Sequence, residues 1–187
     1  IREAMKMGSR IAILKEGRLV QVGEPLALLS CPADSFDADF VGADNFLAMF
    51  SFVKVKDIPF RKERLPVVRE EASFAEARET ADRTGIPFGR RKFVYVLDLD
   101  GRLLGYCDLE SGKNASDPVR TARKPAFAVA RESSVHDALL RMVETGVMHL
   151  PVLDEAGRMK GLLTFQDLNE WIESQRRGEG CPQKSQS

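Results

Sequence analysis

The sequence has no excess of charge of either sign, few cysteines and histidines, and no long apolar run, and each absence excludes a class of protein. Its 28 Lys and Arg residues balance 28 Asp and Glu residues, so a general electrostatic hold on nucleic acid is not expected. The longest charge-free stretches, such as 45–53, are too short to form a membrane-spanning helix. With 43% hydrophobic and 30% charged residues among 187, the composition indicates a folded globular chain of one large or two small domains.

The cysteines and histidines are too sparse for a covalent or metal-held scaffold. Cys31, Cys107 and Cys181 are an odd number and lie far apart, which argues against a disulfide framework and favours a reducing cytoplasm. His136 and His149 have no thiol or acidic partner at metal-ligand spacing. We therefore expect no metal site.

The N-terminal part predicts a small piece of a larger domain. Residues 1–7 have the pattern of a mid-helix segment without an N-cap, so we expect the chain to be a fragment of a longer protein. Residues 10–22 predict a β-hairpin with Gly17 in its turn. Two short helices are predicted after it, one opening at Pro25 and one ending at Gly42. About 45 residues of this kind are too few for a core of their own.

From residue 58 onward the sequence repeats itself. The run 97–105 matches the run 153–161, with Leu, Asp, Gly, Arg and the final Gly at equal places, and 84–85 matches 145–146. The second match is separated by more residues than the first, which places an insertion in the first copy, near 87–92. An internal period near 60 residues indicates one supersecondary unit that is used twice.

Both copies predict the same order of elements. Helices begin at Ser73 and Ser134, each with an acidic residue three positions on that completes a capping box. Apolar residues at helical spacing predict the buried faces, which comprise Phe74, Ala77 and Ala81 in the first copy and Val135, Ala138, Leu139, Met142 and Val143 in the second.

Strands and a closing helix complete the predicted unit. The strands are 93–97, 103–106, 149–153 and 159–163, and the closing helix of the second copy places Leu168, Trp171 and Ile172 on one face. The sequence therefore predicts an α/β (α+β) fold built from two β-α-β-β-α units that pack with pseudo-twofold symmetry. The Gly/Ser/Gln-rich tail 175–187 is predicted to be disordered.

The second copy carries a specific motif. The run Gly146-Val-Met-His-Leu-Pro-Val-Leu-Asp154, continued by Gly157-Arg-Met-Lys-Gly161-Leu-Leu-Thr-Phe-Gln-Asp-Leu168, closely resembles a CBS domain. Together with the duplication, the resemblance implies a CBS pair, or Bateman module. We expect repeat 1 at 65–114 and repeat 2 at 115–174, after a linker at 46–64.

The N-terminal segment also resembles a known family. The run Glu3-Ala-Met-Lys-Met-Gly-Ser-Arg-Ile-Ala-Ile-Leu-Lys-Glu-Gly-Arg-Leu-Val-Gln-Val-Gly23, followed by Pro25 and Phe40-Val41-Gly42, resembles the end of an ABC-transporter ATPase domain. We expect this remnant at 1–45. Its join to a CBS pair is similar to the ATP-binding subunits of glycine betaine, proline and choline importers.

This second resemblance implies a role in osmoregulation. In the parent protein the partners would be a membrane permease and a second ATPase subunit, with a homodimer formed through the CBS pair, at the cytoplasmic face of the membrane. The sequence contains no G-x-x-x-x-G-K-[ST] phosphate loop. We therefore expect no catalysis by this fragment, since a phosphate cradle needs that loop.

The predicted ligand site lies in repeat 2. Gly161-Leu-Leu-Thr164-Phe-Gln-Asp167 fits the nucleotide motif of CBS domains, in which Asp167 accepts hydrogen bonds from ribose hydroxyls and Thr164 faces the phosphate at a helix N-terminus. The alternative is that Thr164 and Asp167 only cap the helix. The implied ligand is an adenine nucleotide: AMP, ATP or a cyclic dinucleotide.

Family analogy adds further candidate residues in repeat 2. The stretches 126–129 and 148–151 would line the base pocket, through Phe127, Val129, His149 and Pro151. In repeat 1 the matching place, Gly105-Tyr-Cys-Asp108-Leu-Glu-Ser111, has Asp where the motif has Thr and Ser where it has Asp. Because an Asp there would repel an anion, only the second site is expected to work.

Basic clusters support a second hypothesis. The clusters are 61–64, 90–92 and 176–177, and contacts of such residues with an anionic lipid surface weaken as salt rises. Arg90, Arg91 and Lys92 are the best candidates, because they lie in the insertion that breaks the repeat. The alternative is an ordinary solvated surface. The functional hypothesis is a regulatory CBS pair that senses adenine nucleotide or ionic strength, and the competing one is a purely structural dimerisation module without a ligand.

Overall fold

The computed structural model describes residues 8–24, 28, 50–84, 92–110 and 114–176. Twelve strands and helices of these ranges are used below, and they follow one another in this order: β1 (Ile11–Lys15), β2 (Arg18–Gly23), β3 (Val67–Arg69), α1 (Phe74–Thr84), β4 (Phe93–Leu97), β5 (Leu103–Asp108), β6 (Arg123–Lys124), β7 (Val129–Ala130), α2 (Val135–Thr145), β8 (His149–Leu153), β9 (Met159–Thr164) and α3 (Phe165–Arg176).

The predicted N-terminal hairpin is present. Strands β1 and β2 pair antiparallel, and the turn between them holds Glu16 at φ 50° and Gly17 at φ 77°. Two successive left-handed residues match the right-handed twist of a two-residue hairpin, which is why glycine suits this place. The helices predicted between 25 and 42 lie outside the described residues.

The predicted duplication is confirmed for the helix of each unit and for the two strands that follow it. Helix α2 begins and ends 61 positions after α1, while β8 and β9 lie 56 positions after β4 and β5. One sheet has the order β3-β4-β5-β6 and the other β7-β8-β9. In each sheet the first pair is parallel and the second antiparallel. We call β3–β6 with α1 the first unit, and β7–β9 with α2 and α3 the second unit.

Each sheet packs one face against its helices. Phe74, Ala77 and Ala81 of α1 are buried, as predicted, against β4 and β5. In the second unit the prediction is only partly right: Val135, Ala138 and Met142 are buried, Leu139 is half-buried, and Val143 is 78% exposed. Val143 is solvent-facing because the buried stripe of α2 is narrower than its run of apolar residues.

Residues 50–61 belong to the core of the second unit. Phe50, Val53, Val55 and Ile58 are buried among the side chains of that unit. The backbone of 53–56 also exchanges hydrogen bonds with residues 131–135, including Val135 N–H to the Val53 carbonyl at 2.9 Å. Residues 50–61, which fall within the interval 46–64 predicted as a linker, therefore pack as a structural part of the second unit.

Residues 117–124 do the same for the first unit. The Val119 N–H donates to the Ala72 carbonyl at 2.9 Å, and Phe74 N–H donates to the Asp117 carbonyl at 3.0 Å. Both segments contain a short 3-10 turn, Val55–Asp57 and Val119–Ala122, that buries a valine completely. We call 50–61 and 117–124 the crossing segments, since each precedes one unit in the chain and packs on the other.

The crossing segments explain two glycines. A Cβ on Gly161 would lie 2.4 Å from the Arg61 carbonyl oxygen and 2.6 Å from the Phe60 ring, and one on Gly105 would lie 2.3 Å from the Lys124 carbonyl oxygen. Glycine is therefore required where each segment passes over the neighbouring strand. The repeat alignment matched these two glycines without giving the reason.

The ends of the two units differ. Helix α3 closes the second unit, with Leu168 and Trp171 buried and Ile172 half-buried on one face as predicted, and it continues to Arg176, two residues into the stretch predicted as a disordered tail. In the described residues after β5 the first unit has turns and a 3-10 turn instead of an α-helix. No helix in the described part of the chain is long and apolar enough to cross a membrane.

Candidate functional site

Thr164 and Asp167 form a complete capping box at the start of α3. The Asp167 Oδ2 atom accepts hydrogen bonds from the Thr164 N–H and hydroxyl, both at 2.8 Å. In return the Thr164 oxygen accepts from the Asp167 N–H at 3.1 Å. Both side chains are half-buried, and no described residue donates to the second carboxylate oxygen, Oδ1. The cap thus uses one oxygen of Asp167, so the other can accept a hydrogen bond from a ligand.

The other two helices use the same device. Ser73 and Glu76 cap α1, with Ser73 N–H donating to Glu76 at 2.8 Å, and Ser134 with Asp137 caps α2. Hydrogen bonds from Ser134 hold the pKa of the Asp137 carboxyl below its usual range. The capping geometry at Thr164 is therefore the same as at α1 and α2, and it leaves both predicted roles of Asp167 open.

His149 lies beside this cap, at the contact between the two units. It is opposite Thr164 in the register of β8 and β9, and its Nδ1 shares a hydrogen bond of 2.8 Å with the Tyr95 hydroxyl of the first unit. The Phe93 ring lies 4.7 Å from the imidazole, centroid to centroid. Burial lowers the pKa of His149 to about 4 and raises that of Tyr95, so both groups are neutral at physiological pH.

The remaining predicted pocket residues of repeat 2 do not all share one surface. Phe127 is 51% exposed just before β7, and Pro151 lies two residues after His149 on the same face of β8. Val129 differs from the prediction, because its side chain is 5% exposed and packs with Leu150 and Val152 in the core against the helices. The Val129 side chain is therefore part of the core and does not line an open pocket.

The corresponding place in the first unit is built differently. Asp108 ends β5, and its Oδ1 accepts a hydrogen bond from the Glu110 N–H at 3.0 Å, which forms a turn where the second unit begins a helix. Ser111, the other residue predicted there, lies outside the described residues. An anion at this place would meet the Asp108 carboxylate without the N-terminus of a described helix to offset it.

Of the proposed salt-sensing cluster, only Lys92 is described. Its ammonium is paired with the Asp82 carboxylate of α1, and both side chains are exposed. Arg90 and Arg91 lie outside the described residues, so the cluster stays a prediction. Within the described ranges, no three His, Cys, Asp or Glu side chains lie together as a metal site would need.

Sequence reasoning missed two features of this region. One is the Tyr95–His149 contact. The 56-residue offset makes Phe93 the counterpart of His149, and this correspondence was a signal that β4 and β8 face each other across a pseudo-twofold axis. The other is an open cavity beside the first crossing segment, half of whose lining residues are cationic. The basic run 61–64 was its only signal in the sequence.

Comparison with family models identifies the second unit. Residues 119–174 match the CBS domain model. Among solved structures, a CBS domain pair/ACT domain protein from Thermotoga maritima is similar at 27% identity and a TM-score of 0.56, covering 65% of this chain and 98% of that one. The two units therefore have the fold of a CBS pair, as predicted.

Curated proteins of one kind match most of the chain. The osmoprotectant import ATP-binding protein of Salmonella typhimurium is 29% identical, covering 94% of this chain and 45% of its own length. The glycine betaine/carnitine/choline transport ATP-binding protein of Bacillus subtilis is 30% identical, covering 89% of this chain and 43% of its own length. The chain thus spans less than half the length of these relatives.

Proposed function

Starting from a chain whose residues 119–174 are a CBS domain, we propose that it is the regulatory part of the ATP-binding subunit of an importer for osmolytes such as glycine betaine, choline or proline. The observation that carries the proposal is the combination of a CBS pair with similarity over 94% of the chain to an osmoprotectant import ATP-binding protein. The CBS pair would respond to an adenine nucleotide or to ionic strength and so adjust ATP-driven uptake by the complete subunit.

The β1–β2 hairpin supports a connection to an ATPase domain. Leu14 and Leu19 are 60% and 64% exposed and Val22 is 42% exposed, an unusual number of open apolar side chains for one short hairpin. The rest of an ATPase domain would cover them. In this proposal the parent protein acts with a permease and a second ATPase subunit at the inner face of the membrane.

We place the nucleotide at the second unit. Asp167 keeps one carboxylate oxygen available beyond the cap, which suits a charge-assisted hydrogen bond from a ribose hydroxyl. The N-terminus of α3 attracts phosphate through its unpaired N–H groups. Phe127 and Met148 are about half exposed and supply apolar surface for a base beside His149 and Pro151. A ligand bound here regulates only if its affinity differs between two states of the subunit.

Calorimetric titration with AMP, ADP, ATP and a cyclic dinucleotide, at low and high salt, tests the site. Asp167→Ala should weaken binding about tenfold or more, because it removes a charge-assisted hydrogen bond. The matched control is Asp137→Ala, which removes the same capping carboxylate from α2 and should leave binding unchanged. Equal affinities of the two variants, or no binding by the parent chain, would contradict nucleotide sensing.

A ligand-free dimerisation module is the second candidate, and one observation favours it. Leu140 and Val143, one turn apart on α2, are 46% and 78% exposed, whereas their counterparts on α1 are Glu79 and Asp82. An apolar face on one helix only suits self-association through the second unit. Sedimentation of Leu140→Glu tests this: dissociation of a dimer supports the structural role, and an unchanged association state argues against it.

Ionic-strength sensing through Arg90, Arg91 and Lys92 is the remaining form of the proposal. Lys92 already has Asp82 as a partner, so part of its charge is balanced within the protein. Changing all three residues to glutamine should shift the salt concentration at which the complete transporter becomes active. If the salt concentration at half-activation did not change, ionic-strength sensing through these residues would be ruled out. Nucleotide sensing would be unaffected by that result.

A further inference from the structure

A second candidate site lies beside the first crossing segment. A cavity of about 650 Å³ is open to solvent there, and it is lined by Lys56, residues 58–64, Thr84 and Arg131. This volume is within the range of small-molecule sites, roughly 300–1,000 Å³. The lining includes neither Thr164 nor Asp167.

The cavity carries a net positive charge. Five of its ten lining residues are cationic, and one is acidic: Lys56, Arg61, Lys62, Arg64, Arg131 and Glu63. Lys56 is neutralised by Glu132 at 2.8 Å, but among the residues that the structure describes the other four cations have no ion-pair partner. Clustered unpaired cations in a concave surface focus the field on an incoming anion.

Two of these cations are held in place. The Arg61 Nη1 donates to the Thr84 carbonyl at 3.2 Å, at the C-terminal end of α1 where a cation is favoured. Lys62 lies over the Phe60 ring, with its ammonium 5.3 Å from the centroid. Arg64 adopts φ 49°, a left-handed conformation that a non-glycine residue rarely adopts without a surrounding constraint.

The first unit shows what a balanced version of this place looks like. The Lys56–Glu132 pair has its counterpart in Arg120 and Glu71, but the residue equivalent to Arg131 is Glu70, which pairs with Arg123 at 3.7 Å. The second unit therefore has a cation, Arg131, at the position where the first unit has the carboxylate that balances Arg123. The charge of the cavity is a local difference, which the fold itself does not require.

We propose that this cavity binds a small anion that carries phosphate groups, held chiefly by Arg61, Lys62, Arg64 and Arg131. Guanidinium groups match phosphate oxygens in pairs, and the ammonium of Lys62 adds a point charge. The same phosphate chemistry is offered by a free phosphorylated metabolite and by the headgroup of an acidic lipid. The proposal goes beyond the nucleotide site, with which the cavity shares no residue.

Calorimetry of the 187-residue chain with sodium pyrophosphate, at about 0.05 M and about 0.15 M salt, tests the proposal directly. Arg131→Glu restores the charge found at Glu70 and should weaken binding at least about tenfold. Lys62→Gln should weaken it less, and thermal melting of both variants checks that they fold. The matched control is Lys124→Glu, which reverses the charge of an exposed residue in the first unit. Lys124 is the counterpart of Arg61, because Lys124 pairs with Tyr106 and Arg61 pairs with Leu162. This variant should bind pyrophosphate like the parent chain.

A vesicle arm distinguishes the sources of phosphate. Flotation with phosphatidylglycerol vesicles, against phosphatidylcholine as the neutral control, reports a lipid headgroup; pyrophosphate reports a soluble ligand. Binding of either probe that is lost in Arg131→Glu and kept in Lys124→Glu and Asp167→Ala supports the proposal. No binding of either probe at about 0.15 M salt, or equal losses in Arg131→Glu and Lys124→Glu, overturns it.

Discussion

The two units share a frame and differ in the groups that the frame exposes. Residues that the packing requires are paired across the repeat: Gly105 with Gly161, Val119 with Val55, and a capping box on each repeated helix. Surface positions are not paired: Glu70 is replaced by Arg131, and Asp108 by Thr164. Packing requires the paired residues and does not constrain the surface positions. The second unit therefore has properties that the first unit lacks at those surface positions.

The largest effect is expected where a crossing segment leaves no room for a side chain. Gly161→Ala places a Cβ 2.4 Å from the Arg61 carbonyl oxygen and against the Phe60 ring, which forces backbone to shift and should lower the free energy of unfolding by about 3 kcal/mol. Gly105→Ala should do the same to the first unit. Denaturant unfolding measures both.

The control for these variants is Gly157→Ala. Gly157 also has a positive φ, 76°, but nothing lies within 4 Å of its would-be Cβ, so only the conformational cost of about 1 kcal/mol applies. A loss for Gly161→Ala no greater than that for Gly157→Ala would mean that the crossing segment does not pass over β9 as described.

The contact between the units should respond to acid. His149 has a pKa of about 4 in the fold and an ordinary value of 6.5, so the unfolded chain binds its proton more readily and protonation favours unfolding. The stability that depends on neutral His149 is complete above pH 6.5 and falls by about 3 kcal/mol as the pH drops to 4. Denaturant midpoints across this range should show the fall.

Two variants isolate the histidine from the carboxylates that also titrate in acid. His149→Gln keeps a polar partner for Tyr95 and should flatten the part of the pH profile between 6.5 and 4. His136→Gln, at an exposed position of α2 beside Asp137, is the control for a histidine outside the contact between the units. If the profile of His149→Gln matched that of the parent, the buried contact would not be the source of the acid sensitivity.

A smaller, equal effect on stability is expected from the two capping carboxylates. Asp137→Ala and Asp167→Ala each remove an acceptor from a helix N-terminus, so each should cost about 1 kcal/mol. Thermal unfolding of the pair measures this. A much larger loss for Asp167→Ala would show that its nucleotide-binding effect reflects damage to the fold of the second unit.

The smallest effect on stability is expected at the exposed face of α2. Val143→Ser changes a side chain that is 78% exposed, so the unfolding midpoint of the monomer should move by no more than about 0.5 kcal/mol. Its association state, measured by sedimentation, should weaken if α2 is a dimer face. A large loss of monomer stability would instead mean that Val143 is buried, as its helical spacing first suggested.

Periodicity and repetition were enough to predict the local elements of the fold. Strands β4 and β8, the caps of α1 and α2, and the buried stripe of α1 all depend on neighbouring residues, so local patterns were sufficient. The crossing segments depend on contacts between residues about 80 positions apart, such as Val53 with Val135, which no local pattern encodes. For this reason 46–64 looked like a linker.

The site was only half predictable for the same reason. The spacing of Thr164 and Asp167 identified a helix N-terminus and its acidic partner, and the structure shows that arrangement. The spacing could not indicate that Val129 faces the core, since a two-residue strand has too little alternation to show its buried side. Nor could it bring Arg131 to the basic run 61–64, because that approach is made by the fold.

Hydrogen exchange of backbone amides, with and without AMP, is the most direct test of the claim that the second unit alone carries the nucleotide response. We expect slower exchange at residues 164–168 and around 148–151 on addition of AMP, with no change at 108–110. The slowing should be lost in Asp167→Ala and retained in Asp137→Ala. Equal protection at 108–110 and 164–168, or protection that survives Asp167→Ala, would contradict it.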